Sequence, residues 1–234
     1  MKAASHITTY RDLEQGSDAW LEARRGMLTA SEMKLILTPT LKQAANKEER
    51  VHLCELAAQR ITKFVEPHYV SEDMLRGQIE EDEARREYAT HYASVERVGF
   101  IVNRRWGFPI GCSPDGLVGL DGGIEVKSRR QKFQFQTLTE HVPNGTIPEE
   151  YVLQLQTCLL VAERQWWDFI SYCGGLPMAV IRVWPDDAIQ TAIVEAAAAA
   201  EERIAARVAK YHAVQEIGAR LIPTERIQYE DMTP

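Results

Sequence analysis

Cysteine is scarce and scattered: Cys54, Cys112, Cys158 and Cys173, with no Cys-x-x-Cys pair among them. The spacing argues against an iron–sulfur cluster and reads as reduced thiols in a cytoplasmic protein. No apolar run reaches the ~18 residues that a membrane span needs. No apolar stretch follows Met1 to His6, so no secretion signal is expected. The six histidines (His6, His52, His68, His91, His141, His212) show no His-x-x-x-His spacing, and none is assigned to a metal. No internal repeat and no clear linker divides the chain. Positive charge is short as well: the net charge is −7, an awkward balance for a protein that must hold phosphates.

Net charge is not charge distribution, however. Basic residues cluster at Arg24-Arg25, at Arg104-Arg105, and at Arg129-Arg130 with Lys132. Acidic residues cluster from Glu80 to Glu83 and near the C-terminus. A basic cleft within an acidic exterior fits this pattern. Hydrophobic content of 45% and charged content of 26% are ordinary for a soluble globular protein, and 234 residues suit one domain.

Periodicity and turn residues outline the elements. Residues 1–16 read as a short arm. Ser17 or Asp18 caps a helix to about Arg25, with Trp20 on its buried side. Thr29-Ala-Ser-Glu32 fits a capping box that opens a helix to about Leu37, and a polar loop follows over 38–46. Asn46 to about Phe64 reads as an amphipathic helix with Val51, Leu53, Leu56 and Ile61 near helical period. Ser71 caps another, to about Tyr92. Strands are predicted near 95–103, 108–113, 116–120 and 123–127. A helix near 131–139, a loop at Pro143-Asn144-Gly145 and a helix over about 149–163 come next. Two strands, Trp166 to Tyr172 and Met178 to Val183, precede a long alanine-rich helix from Pro185 to about Ala213. The order predicts one α/β domain over 1–234, with its core at about 14–213 and a tail over 214–234. A mixed central β-sheet flanked by helices is the simplest architecture.

The densest chemistry lies between Cys112 and Lys127. Cys112-Ser-Pro-Asp-Gly-Leu-Val118 leads to the turn Leu120-Asp-Gly-Gly123 and then to Ile124-Glu-Val-Lys127. A Gly-Gly turn between apolar runs reads as a β-hairpin. Strand alternation puts Glu125 and Lys127 on one face and Ile124 and Val126 on the other. Asp115 adds a carboxylate from the preceding strand. That set suits a hard cation with a lysine beside it, the equipment for metal-assisted phosphodiester hydrolysis. The alternatives are a turn aspartate before Gly116 and a surface lysine ending an edge strand.

Helical phase splits the acidic run. Met74, Gly77, Glu81, Ala84, Tyr88 and Tyr92 form one stripe. Glu80, Asp82 and Glu83 point elsewhere, with Asp82 in reach of Arg86. An inward Glu81 needs a partner: a metal, a metal-bound water, or Arg85 one turn on. Gln156 lies on an otherwise apolar helix face, either hydrogen-bonding near the site or as a satisfied core amide. Met74 and Leu75 either wedge between base pairs at a duplex end or pack in the core. Trp166-Trp167 reads as core and sheet surface.

The order Pro114-Asp115…Glu125-x-Lys127 resembles the signature of the PD-(D/E)-x-K nuclease superfamily. Four blocks together resemble its viral-recombinase branch, the phage lambda-type exonucleases, over about residues 14–210. The first is Glu14-Gln-Gly-Ser-Asp-Ala-Trp20 with Arg24-x-Gly26 and Thr29-Ala-Ser-Glu32. The second is Gly77-x-x-x-Glu81-x-x-Ala84-Arg85, and the third is Cys112 to Leu117 with Glu125-x-Lys127. Tyr151-x-x-Gln154-x-Gln156 is the fourth.

The resemblance implies a restriction-endonuclease-like fold and a 5′-to-3′ exonuclease. Such an enzyme digests one strand of linear duplex DNA, releases 5′-mononucleotides and leaves a 3′ overhang for phage-type recombination. It implies Mg2+, with Mn2+ as substitute, on oxygen ligands: Asp115, Glu125, the Val126 carbonyl and, through water, Glu81. Lys127 then orients water or stabilises charge, with Gln156 nearby. Arg24, Ser31 and Ser113 match a pocket for the 5′ phosphate; for Ser31, helix capping is the alternative. The implied partners are double-stranded DNA ends and a single-strand annealing protein. A ring-shaped homotrimer with basic clusters lining its channel is implied as well. The implied setting is the cytoplasm of a bacterial host carrying a phage or prophage. Two rivals remain: an endonuclease of the same fold, and a nuclease fold that binds DNA without cutting. The presence of every expected catalytic side chain argues against the second.

Overall fold

Short apolar segments bounded by glycine and proline become strands, and the segments of helical period become helices. A computed structural model describes residues 6–66, 72–218 and 220–226. Ser71 and the side chain of Met74, which have roles in the reading above, lie outside the described residues. In chain order the elements are β1 (Ile7–Tyr10), α1 (Asp18–Arg24), β2 (Leu28–Thr29), α2 (Lys47–Thr62), α3 (Glu72–His91), β3 (Phe100–Asn103) and β4 (Ile110–Cys112). There follow β5 (Gly116–Val118), β6 (Gly122–Ser128), α4 (Gln131–Gln136), α5 (Glu149–Ala162), β7 (Trp166–Tyr172), β8 (Ala179–Val183) and α6 (Asp187–Glu216).

The strands form two four-stranded mixed sheets, ordered β1-β3-β4-β2 and β5-β6-β7-β8. The pairs β2/β4 and β6/β7 are parallel and the others antiparallel. The ladder breaks between β4 and β5, where Pro114 has no amide hydrogen to donate. A bridge between Glu96 and Leu117 flanks the break. Part of the expected arm, β1, pairs with β3.

Two local expectations change. Thr29 is extended, as the last residue of β2, and no capping bond forms. Its hydroxyl donates instead to Glu32 Oε2 at 2.6 Å, and Ala30–Leu35 winds as a tighter 3-10 turn. In α2, Asn46 caps by accepting the Glu49 N–H at 2.8 Å. Leu53 and Leu56 are buried as their period requires, but Val51 is 58% exposed.

Helix packing decides where the site can form. Ala84 and Tyr88 of α3 pack on Ile124 and Val126, one face of β6. The other side of the molecule holds the main core, where Leu155 and Leu159 of α5 join Ile110, Trp167 and Phe169. Ala196, Ala197 and Ala200 are buried there too, so α6 approaches closely on a face of small residues. A buried clasp ties α3 to the second sheet. Tyr88 donates to Asp168 Oδ2 at 2.6 Å, and Arg182 donates to both Asp168 oxygens at 2.8 and 2.9 Å. Among the described residues no helix is long and apolar enough to cross a membrane.

Candidate active site

The hairpin of β5 and β6 pairs Gly116 with Ile124 and Leu117 with Gly123. That register places Asp115, at the foot of β5, beside Glu125. Asp115 Oδ2 accepts the Val126 N–H at 2.6 Å, so the strand's own backbone orients the carboxylate. Glu125 and Lys127 project from the same face, and Lys127 Nζ donates to Glu125 Oε1 at 2.6 Å. Gln154 of α5 donates to the same oxygen at 2.5 Å. Glu125 Oε2 is buried and has no hydrogen-bond partner. Lys127 Nζ also lies 5.3 Å from the ring centroid of Tyr151.

The electrostatics are those of crowded negative charge. Burial raises the Asp115 pKa well above its ordinary value, and the charges of Glu125 and Glu81 add to the effect. Burial likewise raises Glu81, with Arg85 opposing. Lys127 is pulled down by burial, but Glu125 and Asp115 outweigh that and leave its pKa raised. It is therefore an ammonium at neutral pH, a donor rather than a base.

Asp115 and Glu125 suit a hard divalent cation: they offer only oxygens, crowd two carboxyl groups in a buried place, and leave Glu125 Oε2 unpaired. Among the described residues no group of three or more His, Cys, Asp or Glu side chains converges as a ready ligand set. Glu81 stands at the edge of this cluster, close enough for its charge to act on Asp115, and is paired with Arg85. Arg85 donates to Glu81 Oε1, to Asp82 Oδ1 at 2.5 Å and to the Asp115 carbonyl at 2.8 Å. The reason lies in the packing: α3 covers the Ile124/Val126 face of β6, and Glu125 looks the other way. Asp82 pairs with Arg85 and with Arg97 at 2.9 Å, not with Arg86, which takes Glu83.

Arg24, Ser31 and Ser113 come together beside these carboxylates. A cavity of about 190 Å³ is lined by Trp20, Arg24, Ser31, Ser113, Asp115, Glu125 and Gln154, among others. The Arg24 guanidinium stacks 4.0 Å from the Trp20 ring centroid and donates to Thr29 Oγ1 at 3.2 Å. Burial lowers its pKa, with Glu32 opposing. The Trp20 indole donates to Ser113 Oγ at 3.0 Å, joining the two ends of the pocket. A second cavity, of about 410 Å³, shares Gln15 and Asp115 with the first and reaches Glu81, Arg85 and Arg97.

Gln156 is not brought to this cluster. It is buried on another side of α5, donating to the Trp184 carbonyl at 2.8 Å and accepting the Asp186 N–H at 2.9 Å. Two helical positions are about 200° apart, so Gln154 and Gln156 cannot face one site. Gln154 shares its stripe with Tyr151, and that pairing is the signal in the sequence that would have chosen it. Arg85, Gln15 and Tyr151 also join the site without having been singled out for it. Leu75 is 51% exposed, which removes it from the core. The basic clusters are partly engaged: Arg25 pairs with Glu22, and Arg105 donates to Glu163 at 2.9 Å. Arg129 is buried, donating to Glu150 at 2.8 Å and to the Tyr151 hydroxyl at 2.6 Å.

The fold is of the alkaline exonuclease type. The alkaline exonuclease LHK-Exo from Laribacter hongkongensis is 28% identical, with a TM-score of 0.74 over 86% of this chain and 98% of that one. Its complex with dAMP matches at 29% identity, with the same TM-score of 0.74 and the same coverage. A phage-related exonuclease from Haemophilus somnus 129PT shares the fold at 11% identity, with a TM-score of 0.62 over 79% of this chain and 96% of that one. Residues 19–165 match the YqaJ-like viral recombinase domain, and the chain belongs to that family. No curated protein matches it.

Proposed function

We propose that the protein is a divalent-metal-dependent 5′-to-3′ exonuclease acting on ends of linear duplex DNA. It releases 5′-mononucleotides and leaves a 3′ single-stranded overhang. The observation that carries this reading is the shared cavity, in which Arg24, Ser31 and Ser113 stand beside Asp115 and Glu125. A pocket for a terminal phosphate placed next to the reacting centre favours an end over an interior phosphodiester. The relative solved with dAMP is a described exonuclease, and a mononucleotide is the product class proposed here.

Asp115 and Glu125 would hold Mg2+ or Mn2+, with the Val126 carbonyl and Glu81 at the margin. The ion supplies charge stabilisation at the phosphoryl oxygens. Arg24, pinned by Trp20 and Thr29, grips the 5′ phosphate as a fork. Lys127 donates to charge that develops on the phosphoryl group. Gln154 fixes the rotamer of Glu125, and Arg85 fixes the main chain at Asp115. The family suggests a ring-shaped homotrimer, a single-strand annealing partner and a bacterial cytoplasm.

The test is digestion of a 5′-labelled linear duplex beside a closed circle, with Mg2+ and with EDTA, using 5′-phosphate and 5′-hydroxyl ends. Release of labelled mononucleotide from the linear 5′-phosphate substrate in Mg2+ alone is expected. Cutting of the circle, or full activity in EDTA, rejects the reading. Equal rates on the two ends reject the phosphate pocket.

A further inference from the structure

Phe133 and Phe135 of α4 are 41% and 61% exposed. Between them Gln134 is fully buried, donating to the carbonyls of Ser171 at 3.1 Å and Pro177 at 2.7 Å. One helical position is about 100° of rotation, so anchoring Gln134 inward turns the two rings out on opposite flanks of the exposed side of α4, with Lys132 on the open side between them. Residues 129–136 contain Arg129, Arg130 and Lys132 and no acidic residue, in a chain of net charge −7. Lys132 Nζ lies 4.7 Å, and the Arg129 guanidinium 5.2 Å, from the Phe133 ring centroid.

This surface is continuous with the reacting centre. Lys127 and Arg129 both lie 5.3 Å from the Tyr151 ring centroid, and Arg129 bridges from Tyr151 to Phe133. None of Lys127, Tyr151, Arg129 and Phe133 lines the phosphate cavity of Arg24. Flat apolar rings offer stacking surfaces for bases, and the interleaved cations suit phosphates. A duplex hides its base faces, whereas a single strand presents both.

We propose that Phe133 and Phe135, one on each flank of the exposed side of α4, with Arg130 and Lys132, form two successive stacking contacts for single-stranded DNA that crosses this helix beside the reacting centre. Their occupant is the uncut strand once its complement has been removed, an assignment that rests on the exonuclease reading above.

The test is fluorescence anisotropy in EDTA with an oligo-dT and with an abasic oligomer of equal length. The proteins are wild type, Phe135→Ala, the Phe133→Ala/Phe135→Ala double variant and Phe135→Trp. Affinity for oligo-dT should fall about tenfold for each ring removed, as for one stacked base. Affinity for the abasic oligomer should stay the same, and Phe135→Trp should bind oligo-dT as wild type does. Unchanged oligo-dT affinity in the double variant overturns the proposal, as does an equal loss for the abasic oligomer. A fall in molar mass of Phe135→Ala by light scattering also overturns it, because the rings then serve contacts between copies. Cleavage of the linear duplex by wild type is measured separately. Its failure would reject the exonuclease reading while the oligonucleotide binding stands on its own.

Discussion

Asp115 concentrates the electrostatic cost of the site. Its folded-state pKa lies well above the ordinary 3.8, so the native protein binds that proton more tightly than the unfolded chain does. Without metal, stability should fall as pH rises from about 3.8 toward the raised value, and the loss is complete above it. Asp115→Asn removes the charge and keeps an oxygen for the Val126 N–H. The metal-free variant is expected to melt above wild type at neutral pH, and Mg2+ should raise Tm only in wild type. Scanning fluorimetry with and without Mg2+ checks both; a metal-free variant melting below wild type would count against the account. Lys127→Ala should lower the cleavage rate by about 10² to 10³, the usual effect of losing one donor to developing charge. Single-turnover kinetics at saturating metal measure this, and a change under twofold makes Lys127 a bystander. The two glutamines should separate cleanly. Gln154→Ala is expected to lower activity and leave the melt nearly unchanged. Gln156→Ala strands the Trp184 carbonyl and Asp186 N–H and should cost about 1–3 kcal/mol of stability. Paired melts and rates decide, and the reverse pattern would reassign the site.

At the scale of elements, β6 is the axis, with α3 on its apolar face. What keeps α3 there is partly one buried clasp, Tyr88 to Asp168 with Arg182. Tyr88→Phe keeps the ring packed but takes a donor from the buried Asp168 side chain that Arg182 also holds, and should cost about 1.5–3 kcal/mol. Because Arg85 joins α3 to the Asp115 carbonyl, loosening the helix should also disturb the hairpin. Denaturant melts together with hydrogen exchange over α3 and β5 test this. Loss of protection confined to the protein's far end, or none at all, would show that the clasp does not support the site. The π turn Thr137–His141 that extends α4, and the 3-10 turn Val142–Asn144 after it, lead on toward α5 and its Gln154.

On the proposed function, the whole molecule has to hold a polyanion with a net charge of −7. Several of its cations are spent within the chain, Arg129 on Glu150 and Arg105 on Glu163. Topological enclosure of DNA by a ring of copies would need less free positive charge than an open groove. Sedimentation equilibrium at micromolar concentration is expected to give three times the 26.6 kDa chain mass. A monomer at that concentration rejects the ring.

The local features of the site were legible in the sequence. Two-residue alternation meant that Glu125 and Lys127 had to share a face opposite Ile124 and Val126, although the turn falls at Gly119–Asp121 and the expected Gly122-Gly123 turn is already paired strand in β6. Order and spacing alone carried Asp115 to that hairpin. Other features depended on how elements dock. Helical phase allowed Glu81 to face either a cation or Arg85, and the packing of α3 on the apolar face of β6 turned it to Arg85. Phase also separated Gln154 from Gln156 without saying which faced the strand. Only the seating of α5 over Glu125 decided that, because a helix has several polar positions and the core selects which one looks inward to the site.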